Sequence, residues 1–188
     1  MKYPIAFIFL LFAFLGMGQE FHTEYRYTDS FNNGITIQNS YPKGGLSYTD
    51  PQSGMEYVYV VFWTAITNET ESNLELEVRF PENSFTVPSS PGIDFTLYLP
   101  TDKPTPEKEH RIDYGLDLKS FLDEYLGQPT ALTATILPND IYRFYTVALS
   151  DQGIDGVMRA GFALKGQDLT YTLNGHEIDS GSIKIQKK

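Results

Sequence analysis

The sequence contains no cysteine. That excludes disulfides, thiolate nucleophiles, Cys-ligated zinc and iron–sulfur clusters. It also excludes a thioether-linked lipid behind the N-terminal apolar stretch. Histidine is scarce: only His22, His110 and His176 occur, and no His-Glu-x-x-His spacing is present. A zinc-hydrolase motif is therefore missing. No Gly-x-Ser-x-Gly marks a nucleophile elbow. Gly44-Gly45 lacks the Lys-Ser/Thr ending and the following helix of a phosphate loop. Beyond the N-terminus no apolar run approaches the roughly 20 residues of a membrane span. Tryptophan occurs once, at position 63.

Positive charge is also in deficit. Fourteen Lys and Arg face twenty-four Asp and Glu, a net charge of −10. Such a surface disfavours nucleic acid and anionic lipid, which both require cationic patches. It suits solubility, cations or basic partners.

What is present begins with "MKYPIAFIFLLFAFLGMGQE". Lys2 supplies a positive start, Ile5–Leu15 an apolar core of eleven residues, and Gly16-Met17-Gly18 the small residues of a cleavage site. This is the layout of a secretory signal peptide covering residues 1–18. Its removal takes one lysine and no acid, leaving 13 basic against 24 acidic residues, or −11. The expected location is the periplasm, the cell surface or the medium.

Residues 19–33 read as a polar N-terminal segment, with a short edge strand at Glu24–Thr28. Residues 34–188 read as one domain. "LELEVRF" places Leu74, Leu76, Val78 and Phe80 on one face and Glu75, Glu77 and Arg79 on the other. That is the two-residue period of a half-buried strand. Ile93, Phe95, Leu97 and Leu99 repeat it. Further strands are expected at 34–39, 46–49, 57–67, 132–137, 141–149, 158–164, 169–173, 176–178 and 182–185. Asn174-Gly175 predicts a type I′ hairpin turn, whose two central residues take positive φ. One stretch changes period: Leu118, Phe121, Leu122, Tyr125 and Leu126 predict a short amphipathic helix, with Asp117 as N-cap and Gly127 and Pro129 as stop. The fold class expected is mainly β: an antiparallel β-sandwich with one short helix, a barrel being the alternative.

"ILPNDIYRF" (136–144) and "TAITNET" (64–70) are similar to the turn-strand elements of bacterial immunoglobulin-like sandwiches. The matching positions are Leu137, Pro138, Asp140, Tyr142 and Phe144. The resemblance implies an exported, immunoglobulin-like β-sandwich of an uncharacterised bacterial family. The helix at 116–126 departs from that pattern, and no catalytic residue carries over.

The run "VYVVFWTAITNET" (58–70) is apolar on both faces up to Trp63. One face carries Val58, Val60, Phe62 and Ile66. The other carries Tyr57, Tyr59, Val61, Trp63 and Ala65. Trp63, Tyr57 and Tyr59 are the candidate ligand-binding residues, because flat aromatic rings match sugar rings. The competing expectation is that the helix or a long loop covers this second face. "SDQGIDG" offers Asp151 and Asp155 as oxygen ligands for calcium, without the EF-hand spacing. No cofactor is expected. The sequon at Asn68 reads as a turn. The functional expectation is an exported, non-enzymatic module for interaction, assembly or accessory roles in the cell envelope, with a protein or glycan partner. The alternatives are a carbohydrate-binding module and, behind it, a glycoside hydrolase or other hydrolase built on two of the many carboxylates.

Overall fold

The computed structural model describes residues 21–28, 34–80, 84–154 and 156–186. Residues 1–18, read above as a signal peptide, lie outside them. Twelve strands form two antiparallel sheets, one of which curls into a half-barrel. The described residues are therefore mainly β with one α-helix among them, as the periodicities predict.

The larger sheet contains β1 (Phe21–Thr28), β2 (Gly34–Ser40), β3 (Lys43–Thr49), β4 (Glu56–Asn68), β6 (Phe85–Val87), β7 (Ser90–Tyr98) and β9 (Ile141–Ser150). Its order is β1-β2-β4-β9-β7-β6, with β3 also paired to β4. The smaller sheet contains β5 (Leu74–Arg79), β8 (Ala131–Ile136), β10 (Ala160–Lys165), β11 (Asp168–Leu173) and β12 (His176–Ile185), in the order β10-β11-β12-β5-β8. Among the described residues no helix is long and apolar enough to cross a membrane.

Side chains from both sheets interleave in one core. It takes Phe62 and Ile66 from β4, Phe144 and Ala148 from β9, Leu74, Leu76 and Val78 from β5, and Phe162 and Tyr171 from β10 and β11. The alternation in "LELEVR" is reproduced: the three apolar residues are buried, while Glu77 and Arg79 are exposed.

A second core lies on the other face of the larger sheet. Tyr59, Val61, Trp63 and Ala65 of β4 meet Tyr145, Val147 and Leu149 of β9 there. Tyr114, Leu116, Leu118 and Leu122 cover them. The last two belong to α1 (Leu118–Tyr125), whose Asp117 cap accepts the Ser120 N–H as predicted. The molecule thus has three layers: small sheet, large sheet, and a helix-plus-loop cover. The central sheet is buried on both faces, which is why β4 and β9 are apolar at both alternating sets of positions.

β2 and β3 run in line along one edge of β4, parted by Tyr41-Pro42. Where the ladder lapses, Ser40 Oγ accepts the Trp63 N–H at 2.8 Å. Asn174 and Gly175 take φ of 44° and 87°, as the hairpin prediction requires.

Two expectations are corrected, and one strand is added. The short edge strand expected at Glu24–Thr28 of the polar segment begins earlier, at Phe21, and is a full strand, β1, because its backbone pairs with β2 from Phe21 to Thr28. The break expected between 178 and 182 is a bulge within β12: Ser180 is buried, and its Oγ accepts the Tyr171 N–H at 2.8 Å. The added strand is β6, whose three residues are too few to show a period in the sequence.

Candidate functional site

The aromatic residues singled out from the sequence do not form an exposed platform. Trp63 is 5% exposed and Tyr59 8%. Tyr57 is half-buried and packs against the same cluster. The helix and the preceding loop take the place a sugar ring would need.

The tyrosines of this face also tie the cover down through their hydroxyls. Tyr48 Oη donates to Asp123 Oδ1 at 3.0 Å. Tyr145 Oη donates to the Tyr114 carbonyl at 3.0 Å. Tyr98 Oη accepts the Gly127 N–H at 3.1 Å. Tyr114 in turn donates to the Tyr41 carbonyl at 2.6 Å, and Lys43 Nζ bonds the Glu109 carbonyl. Each ring fills the second core while its polar tip satisfies a group of the covering segment.

Burial disfavours the phenolate in all of them. It raises Tyr48 to about 12, with the bonded Asp123 adding to the effect. It raises Tyr145 to about 12, helped by the charges of Asp102, Asp113 and Glu109. Tyr59, Tyr98 and Tyr114 are raised as well, chiefly by burial. These phenols stay neutral at physiological pH and act as packing and hydrogen-bonding groups.

Asp151 is exposed, and its Oδ1 accepts the Asp94 N–H at 3.3 Å. Asp155, the other calcium candidate, lies outside the described residues. Among the described residues no three His, Asp or Glu side chains are grouped to hold a metal ion. Asn68 of the sequon is fully buried; its Nδ2 donates to the Ser72 and Ile136 carbonyls and its Oδ1 accepts the Thr70 N–H. The segment is a turn.

The smaller sheet shows a contrast that the sequence did not announce. Its β10 edge is closed by side chains of the other sheet. Asn39 Nδ2 donates to the Phe162 carbonyl at 3.0 Å, and Asn39 Oδ1 accepts the Phe162 N–H at 2.9 Å. Tyr27 Oη accepts the Leu164 N–H at 2.8 Å. An amide plane thus stands in for a neighbouring strand.

At the opposite edge β8 pairs with β5 over all six residues, and among the described residues no strand pairs with its other side. Its sequence, "ALTATI", has no charge, proline or bulge, the usual devices that protect an edge. The Gln186 N–H bonds the Asn73 carbonyl, so odd-numbered residues of β5 bond β12 and even-numbered ones bond β8. The partners of Leu76 and Val78 on β8 are Ala134 and Leu132. Thr133 and Thr135 therefore turn their N–H and C=O groups away from the sheet. Their side chains stand on the exposed face, while Leu132 and Ala134 lean on the core. A run of Thr and small residues without a charge was the available signal, read only as a strand.

Comparisons with protein-family models, with curated proteins and with solved structures find no match to this chain.

Proposed function

We propose that this chain is an exported, non-enzymatic interaction module that receives an extended segment of a partner protein along β8. The observation that carries this reading is the difference between the two edges of the smaller sheet. Side chains seal β10, whereas β8 stays open, regular and uncharged. Strand addition uses such an edge: main-chain hydrogen bonds give affinity and alternate side chains give specificity. Leu132 and Ala134 offer an apolar strip on the inward side. Thr133 and Thr135 offer hydroxyls on the outward side, beside Glu75, which Thr135 Oγ1 bonds at 3.1 Å.

The signal-peptide layout and the absence of cysteine support an envelope or external setting for this role. Two facing antiparallel sheets and the Leu137–Phe144 element support an immunoglobulin-like relationship, which belongs to this same reading.

The test replaces Thr133 by proline. Its N–H points outward, so the β5 ladder survives while the docking edge loses a donor. Envelope proteins cross-linked to the wild type are compared with those cross-linked to the variant. Amide exchange is then measured on the complex. The reading expects a partner lost with Thr133→Pro and protection of the Thr133 and Thr135 amides. A partner retained by the variant, or protection confined to another surface, overturns it.

A further inference from the structure

A second surface sits at the closed edge, where β1 of the larger sheet crosses β10 of the smaller. It is a groove of about 340 Å³ lined by His22, Thr23 and Tyr25 on one wall and by Arg159, Thr172 and Asn174 on the other, with Gly161 and Ala163 as floor. From this groove we infer a binding site for an acidic saccharide, a sugar ring carrying a carboxylate.

Aromatic exposure points here first. Among the described residues, Tyr25 and Tyr41 are the only Tyr, Phe or Trp side chains left largely exposed, at 42% and 46%. Only Tyr25 belongs to the groove's lining. Tyr41 packs its ring against that of His22, with centroids 5.5 Å apart. An exposed ring beside polar groups is what a sugar needs, since its C–H face stacks on the ring and its hydroxyls bond the rim.

Charge points the same way. The chain carries 24 acidic residues, yet among the described residues no carboxylate lines this groove. Glu177, on the strand pair beside Thr172, is bonded to Lys165. Arg159 is the arginine of this lining, and among the described residues its guanidinium has no carboxylate within ion-pair distance. Arginine is the side chain best suited to hold a carboxylate, through two parallel N–H donors. His22, Thr23, Thr172 and Asn174 supply further donors and acceptors for hydroxyls.

The walls are set in advance. The Arg159 N–H bonds Asn174 Oδ1 at 2.7 Å, which fixes the base of the arginine. Asn39 spans the two sheets and also donates to Thr23 Oγ1 at 3.1 Å. A glycine is required at 161: a Cβ there would lie 2.8 Å from the Asn39 side chain. A preformed groove spares the ligand the cost of ordering loops.

The test is titration calorimetry of the purified protein with an oligouronate, with the neutral oligosaccharide of the same linkage and with inorganic phosphate. The uronate is expected to bind, the neutral sugar at least tenfold more weakly and phosphate not measurably. Arg159→Ala should weaken uronate binding about tenfold or more, and Arg159→Lys should recover part of it. Tyr25→Ala should weaken it as well. Both side chains are exposed, so unchanged circular dichroism is expected for each variant. Absent uronate binding, equal binding of the neutral sugar or of phosphate, or full binding by Arg159→Ala overturns the inference. None of these outcomes depends on β8.

Discussion

The side-chain amide of Asn39 pairs with the backbone of Phe162 as a neighbouring strand would, donating at 3.0 Å and accepting at 2.9 Å across the two sheets. Both residues are buried, at 1% and 0% exposure. Asn39→Ala strands an N–H and a C=O in the core, each costing about 1–3 kcal/mol. Urea unfolding should show a loss of about 2–6 kcal/mol. Asn39→Asp keeps the acceptor but turns a carboxylate toward the Phe162 carbonyl. This variant should gain stability relative to wild type as the pH falls and the acid regains a proton to donate.

Trp63 tests the second core. Its emission should be blue-shifted and resistant to a water-soluble quencher, because α1 and the loop before it exclude water from the ring. Leu122, fully buried beneath the helix, should cost about 2–5 kcal/mol when cut to alanine. The same substitution should move the emission to the red. A red-shifted, quenchable Trp63 in the wild type would mean that the cover is not seated.

Alkaline titration tests the tyrosine tethers. Tyr48 and Tyr145 are raised to about 12 in the folded protein from an unfolded value near 10. Above pH 10 the unfolded chain has released these protons and the folded one has not. The unfolded state therefore binds fewer protons, and stability falls between pH 10 and about 12. Phenolate absorbance should lag behind that of free tyrosine and rise with the unfolding signal. Tyr145→Phe removes one bond to the Tyr114 carbonyl and should cost about 1 kcal/mol, while flattening part of the alkaline loss.

The features legible in the sequence are the ones written in local period. Leu74–Phe80 alternates, so its buried face could be named residue by residue. Residues 58–66 and 141–149 are apolar on both faces, which is the local trace of a sheet covered twice. The helix at 118–125 and its Asp117 cap followed from spacing alone. The features that escaped depend on distant partners. β1 is legible only from Glu24 to Thr28; its start at Phe21 and its full pairing depend on β2 beside it. Ser180 looks like a turn residue, yet it completes a bulge by bonding Tyr171. The clasp from Asn39 to Phe162 joins residues 123 positions apart. The candidate surfaces escaped for the same reason: Tyr25 and Arg159 line one groove only because two sheets cross, and the outer side of β8 is defined by which strands pair elsewhere.

Residue-resolved amide hydrogen exchange on the free protein tests the contrast between the two edges most directly. Exchange follows local opening and access rather than strand membership. Phe162 and Leu164 should exchange slowly although β10 is an edge strand, because Asn39 and Tyr27 hold their N–H groups. Thr133 and Thr135 should exchange fast, while Leu132 and Ala134 beside them, bonded to β5, exchange slowly. If Thr133 and Thr135 are as protected as Leu132 and Ala134, the β8 edge is covered and the docking account fails.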